Sequence, residues 1–168
     1  MSYTTKRYDF SDQAADYARL GEELAALIEG ENDLTANAAN AAALIYDALP
    51  EINWAGFYFL KDGELVLGPF QGKPACVRIA LGRGVCGTAA AQRRTLVVPD
   101  VHEFPGHIAC DAASRAEIVV PLINAGALLG VLDIDSPRVG RFDAADARGL
   151  ESLAARFLSG APPAARAR

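Results

Sequence analysis

Residues 52–70 read INWAGFYFLKDGELVLGPF, and this stretch decides the fold class. Two runs of aromatic and aliphatic residues flank Asp62-Gly63, a dipeptide suited to the left-handed backbone of a two-residue hairpin turn, so strand, turn and strand are expected in succession. Side chains alternate across a strand. Ala55, Phe57 and Phe59 therefore share one face of the first strand, while Trp54, Gly56 and Tyr58 share the other, with Gly56 leaving a gap between two rings. From the residues alone, Trp54 and Tyr58 are either packing against a second helix layer or the wall of a pocket.

Working outward, Ser11 or Asp12 can cap a helix in which Tyr17, Leu20, Leu24, Leu27 and Ile28 recur at helical spacing, and Gly30 is placed to end it. A second, alanine-rich helix is expected over 35–48, with Ala38, Ala41, Ala42 and Ile45 on one stripe and Pro50 just beyond. Past the hairpin, strands are expected at about 75–81, 96–98, 118–123 and 128–134, separated by glycine-bearing turns. A last helix over about 143–158 turns Leu150, Leu153 and Phe157 inward, and the tail GAPPAARAR, from about residue 160, reads as frayed. The sum is an α+β domain: about six strands in a mostly antiparallel sheet, with N-terminal and C-terminal helices packed on one face.

At 168 residues and 51% hydrophobic content the chain suits one packed core, so residues 1–168 are expected to form a single domain. Sixteen basic against 21 acidic residues give a net charge of −5. No basic run accompanies aromatics, so nucleic acid is not an expected partner. The chain holds no stretch of about eighteen apolar residues to span a bilayer, and its start, MSYTTKRYDFS, lacks the apolar core of a signal peptide. A cytoplasmic protein is expected, without membrane attachment. Three cysteines without a paired C-x-x-C do not make a secreted disulfide framework. Redox chemistry, metal ligation and burial stay open as their uses.

The period-two rule carries over to the other strands. Val77 and Ile79 point one way and Cys76 the other; Ile118, Val120 and Leu122 oppose Glu117; Leu132 and Ile134 oppose Asp133 and Asp135. If the second faces coincide, Trp54, Tyr58, Cys76, Glu117, Asp133 and Asp135 form a pocket. Asp133 and Asp135, two apart on one face, would repel, and one could keep its proton near neutral pH; a solvated edge face is the alternative. LGRGVCGTAAAQ sets Gly82, Gly84 and Gly87 around Cys86 at a loop-to-helix transition, where backbone N–H groups would favour a thiolate or bind an anion. Cys110 lies in FPGHIACDAASRAE, a loop-like stretch with Asp111 beside it. His102 and His107 match no structural zinc spacing with the cysteines.

NWAGFYF, the cysteines at 76, 86 and 110, EIVVPL and GVLDIDSP together resemble the free methionine-(R)-sulfoxide reductase family, a group of stand-alone GAF-domain enzymes. The likeness runs from about Tyr17 to Leu158. The family implies a GAF-like fold with the ligand pocket on the sheet face away from the main helices, and no cofactor or metal. It implies Cys110 as nucleophile, Cys76 as main resolving thiol and Cys86 as a further pocket thiol. Trp54 and Tyr58 would surround the substrate's methyl-sulfur end, with Glu117, Asp133 and Asp135 as the carboxylate cluster. Free methionine-R-sulfoxide would be the substrate, thioredoxin the reductant, and a homodimer the assembly. The rival is a GAF domain that binds a small ligand and signals without chemistry of its own.

Overall fold

The computed structural model describes residues 8–106 and 111–160, so His107, Cys110 and the tail after Gly160 lie outside the described residues. The hairpin forms where expected: β1 spans Trp54–Lys61 and β2 spans Glu64–Gly72. Lys61 pairs with Glu64 across Asp62 and Gly63, whose φ values of 51° and 85° give the twist-compatible turn. A register shift lies between Gly56 and Tyr58 in the pairing with β2. The irregularity accommodates Pro69, which has no N–H to give to a ladder.

Before the hairpin, α1 (Gln13–Ile28) is capped by Asp12, whose carboxylate accepts from the Ala15 N–H, and α2 (Leu34–Ala48) is capped likewise by Asp33. After it come β3 (Arg78–Ala80), α3 (Gly84–Gln92), β4 (Leu96–Val98), β5 (Ala116–Asn124), β6 (Ala127–Ser136) and α4 (Ala144–Ser159). The strand order is β3-β2-β1-β6-β5-β4, and every pairing is antiparallel.

The sheet divides the interior in two, and the division follows the alternation read from the sequence. On one face Ala55, Phe57, Phe59, Ile118, Val120, Leu122, Leu132 and Ile134 pack under α1, α2 and α4. Burying rings such as Phe57 contributes about 2–3 kcal/mol each. The alanine stripe of α2 lets that helix sit close over β1 and β2. Where α1 meets α4, the buried Asp146 accepts from the Tyr17 hydroxyl at 2.7 Å and pairs with Arg141 at 3.2 Å. On the other face Trp54, Tyr58, Val119 and Val131 pack with Val85, Cys86, Ala89 and Ala90 of α3.

One strand-level expectation is corrected. The strand expected at about 75–81 is ordered as sheet only over Arg78–Ala80, and residues 73–77 form an irregular strap. Strand parity therefore does not extend back to Cys76. Ile79 and Cys76 pack in the same cluster, while Val77 is 64% exposed. The N-terminal and C-terminal helices share one face as expected, and α3 lies on the opposite face, beside the cleft.

Candidate active site

Two adjacent strands bring the carboxyl groups together, and a third sets an aromatic ring beside them. Asp133 and Asp135 sit two residues apart on β6, and Asp135 is paired with Glu117 of β5 on one side and Trp54 of β1 on the other. Directly opposed residues of an antiparallel ladder project from the same face. Trp54, Asp135 and Glu117 thus form one row, and Gly56 and Asp133 begin the next. The α3 helix lies across these rows, placing Cys86 Sγ 3.7 Å from Glu117 Oε1. One potential ligand atom each from Cys86, Glu117 and Asp133 lie within 4.8 Å of one another, a spacing at which the three could hold a metal ion.

The result is a cleft of about 550 Å³, counted out to its mouth. Trp54, Tyr58, Cys86, Glu117, Asp133 and Asp135 all line it. Its aromatic wall is a stack: the Trp54 ring lies 6.0 Å from Tyr58 at 27° and 5.3 Å from Phe70 at 15°. The gap left by Gly56 is filled by those neighbours, for a Cβ there would meet Phe70 Cβ at 2.3 Å and Trp54 Cη2 at 2.6 Å. Trp54 and Tyr58 therefore fill both roles left open by the sequence, packing beneath α3 and walling the cleft. Their polar ends are occupied as well. The Trp54 indole N–H donates to the Lys73 carbonyl at 3.0 Å, and the Tyr58 hydroxyl donates to the Cys76 carbonyl at 3.1 Å.

Burial dominates the electrostatics. It raises the carboxyls of Glu117 and Asp135 well above the usual range, and the charge of Asp133 adds to the rise in both. Burial likewise pushes Asp133 up to about 7, against the hydrogen bonds that favour its ionised form. Asp133 Oδ1 is buried without a hydrogen-bond partner among the described residues. The Cys86 thiol is pushed well up by burial, then by Asp133 and Glu117. This corrects the thiolate expected at Cys86. A helix N-terminus contributes typically 0.3–1 kcal/mol to an anion, less than the combined cost of desolvation and two adjacent acids, so the thiol stays neutral.

Around Asp111, which the sequence did point to, the rim holds Lys73, Asn53, Ser114 and Arg83, which it did not. Lys73 Nζ is 3.4 Å from Asp111 Oδ1, and Asn53 Nδ2 donates to Asp111 Oδ2 at 3.3 Å and to Ser114 Oγ at 3.1 Å. The Ala113 amide and Lys73 hold the Asp111 carboxyl below its usual range, so it stays ionised beside a protonated cluster. Arg83 precedes α3 and lines the cleft without capping the helix through its side chain. These pairings join residues 38 to 61 positions apart, which no local pattern announces. Cys76, half-buried on the strap, packs against the same cluster as Cys86. Cys110 lies outside the described residues, though its neighbour Asp111 lines the cleft. His102 does not line it; its Nδ1 sits 3.0 Å from Asp100 Oδ1 at the surface.

Residues 35–157 match the GAF domain family. The chain is 59% identical over 145 residues to Protein YtsP of Bacillus subtilis, covering 85% of this chain and 89% of that protein. It is 56% identical over 141 residues to the free methionine-R-sulfoxide reductase of Escherichia coli, covering 84% and 86%. The structure of free methionine-R-sulfoxide reductase from Neisseria meningitidis in complex with its substrate superposes with a TM-score of 0.87 at 44% identity, covering 94% of this chain and 95% of that one.

Proposed function

Because the chain belongs to the free methionine-R-sulfoxide reductase family, oxidoreductases built on a GAF domain, we propose that it reduces free methionine (R)-sulfoxide to methionine with its own thiols. The observation that carries the reading is the convergence of an aromatic wall, three proton-retaining carboxyls and thiol-bearing segments on one cleft. The chain acts as one catalytic domain.

A sulfoxide sulfur is a poor electrophile until its oxygen takes a proton. A cluster that keeps a proton at neutral pH supplies that acid. The Cys110 sulfur attacks the sulfoxide sulfur as the oxygen is protonated. Collapse then transfers the oxygen to Cys110 as a sulfenic acid and releases methionine, so that one sulfur is reduced by two electrons and the other oxidised by two. The Cys76 thiol condenses with the sulfenic acid, forming a disulfide and losing water. A dithiol protein, thioredoxin by family likeness, then exchanges with that disulfide and restores both thiols. Cys86, a neutral thiol in the cleft, is a further thiol near this exchange.

The substrate's two charges have matching partners. Its ammonium suits Asp133, the carboxyl of the cluster held at about 7 and so partly ionised near neutral pH, which offers an unpartnered oxygen. Its carboxylate suits the backbone N–H groups at Gly84–Gly87, with Arg83 adjacent. Trp54 and Tyr58 face the methyl-sulfur end. Reading both charges excludes methionine sulfoxide held in a peptide, whose amino and carboxyl groups are amides. A cycle through free thiols suits a reducing cytoplasm; none of the described helices is long and apolar enough to cross a membrane. The enzyme works as a homodimer in this reading.

Thiol titration with mass mapping, before and after methionine (R)-sulfoxide, tests the proposal. Loss of two thiols, linked as Cys76–Cys110, is expected. Retention of all three thiols alongside unreacted sulfoxide would sink the reading in favour of a ligand-binding module.

A further inference from the structure

The two aromatics of the cleft are tied by their polar ends to the segment that carries Cys76. Residues 73–77 leave β2 after Gly72 and enter β3 at Arg78, and between those points they belong to neither strand. Gly72 has φ 121°, and a Cβ on it would meet the Asn53 carbonyl oxygen and Trp54 Cδ1 at 2.7 Å each. The chain thus turns away from the sheet in close contact with the Trp54 ring. From there Lys73, Pro74 and Ala75 pass along the cleft and line it. The Val77 carbonyl accepts from the Leu67 amide at 2.9 Å, which anchors the far end. The carbonyls of Lys73 and Cys76 are held by Trp54 and Tyr58.

We infer that the Trp54 indole N–H and the Tyr58 hydroxyl are positioning groups for the resolving step: they fix the strap, and with it Cys76, relative to the cleft in which the sulfenic acid is made. A disulfide forms only when the two Cα atoms come within roughly 4.4–6.8 Å with the Cβ atoms facing one another. A strap without ladder pairing reaches that geometry less often when its carbonyls are released. The ring faces and the ring polar atoms therefore serve different steps. The faces wall the position taken by the substrate, and the N–H and O–H groups hold the thiol that acts after methionine has left. The inference rests on the proposed reduction and on Cys76 as the resolving thiol.

Tyr58→Phe keeps the ring and removes the tether, and the whole chain can be tested. Two quantities are read: amide hydrogen exchange over residues 73–77, and the ratio of the rate of disulfide formation to the rate of methionine release in a single turnover. Taking the ratio normalises any change in the cleft itself. Exchange is expected to rise, and the ratio to fall about threefold to tenfold, the worth of one neutral hydrogen bond, with sulfenic acid accumulating to a level that dimedone can trap. Trp54→Phe, which removes the other donor, is the second variant and should act in the same direction. Unchanged exchange in both variants overturns the tether. Raised exchange with an unchanged ratio overturns its role in the resolving step. If the wild-type chain releases no methionine, the proposed function has failed, and the positioning role falls with it, while exchange still reports whether the tether exists.

Discussion

Glu117 and Asp135 stand directly opposite one another on adjacent antiparallel strands, with Asp133 two residues along the same face. Facing carboxyls on a buried sheet surface cannot all ionise, and the cluster answers by holding protons. The consequence for stability has a definite sign. In the unfolded chain these groups titrate near 4; in the folded chain burial raises all three, Asp133 to about 7. Between those values the folded state binds more protons than the unfolded state, so stability is fullest at the acid end and is lost as pH rises. The slope reaches up to about 1.4 kcal/mol per pH unit for each proton. Thermal melts of the wild-type protein should fall from pH 5 to pH 8, and Asp133→Asn should flatten the fall. An unaltered slope in that variant would count against the cluster as its source.

Removing a carboxyl from the cluster should slow the first chemical step. Asp135→Asn is expected to lower single-turnover methionine release by about a hundredfold, within the range attributed to a positioned acid. Release at the wild-type rate would remove Asp135 from the acid cluster's function.

In the proposed cycle the thiols serve separate halves. Cys110→Ser is expected to abolish methionine formation, since no other group then receives the oxygen. Cys76→Ser should still form one equivalent of methionine and then turn over poorly with a dithiol reductant. Unchanged steady-state turnover in Cys76→Ser would transfer the resolving role to Cys86.

Gly56 tests the packing of the aromatic wall. A methyl group there would press on Phe70 and the Trp54 ring, at 2.3 and 2.6 Å, and overpacking of this kind typically costs about 1–3 kcal/mol. Gly56→Ala should lower the melting temperature and raise KM together, because the displaced ring belongs to both core and cleft. A variant as stable as wild type would mean that the wall yields without loss.

Far from the cleft, Asp146 joins α1 to α4 through Tyr17 and Arg141, with side chains 0% exposed for Asp146 and 5% for Arg141. Asp146→Ala leaves a buried guanidinium unpaired and should cost about 3–5 kcal/mol. Chemical denaturation checks this, and a loss under 1 kcal/mol would show that the network contributes little.

Much of this was legible along the chain. Alternation in 54–59, 118–122 and 132–135 sorted both faces correctly, because side-chain direction in a strand is a local property with a period of two. The coincidence of the second faces was an expectation only. It became a cleft because β6 pairs with both β1 and β5, a long-range choice that sets Trp54, Asp135 and Glu117 in one row. Parity failed at Cys76, where the strand breaks into a strap, and there the sequence offered Pro74 but no register.

By itself, then, the sequence determined most of the elements, the faces of the three long strands, the hairpin turn and the residue types of the cleft, all of which depend on near neighbours. Only the tertiary structure decided that the cluster is buried deeply enough to keep its protons and that Cys86 is a neutral thiol rather than a thiolate. It also decided that the polar ends of Trp54 and Tyr58 hold the strap of Cys76. Desolvation and cross-strand contact depend on what surrounds a group in space, and that is set by chain segments far away in sequence.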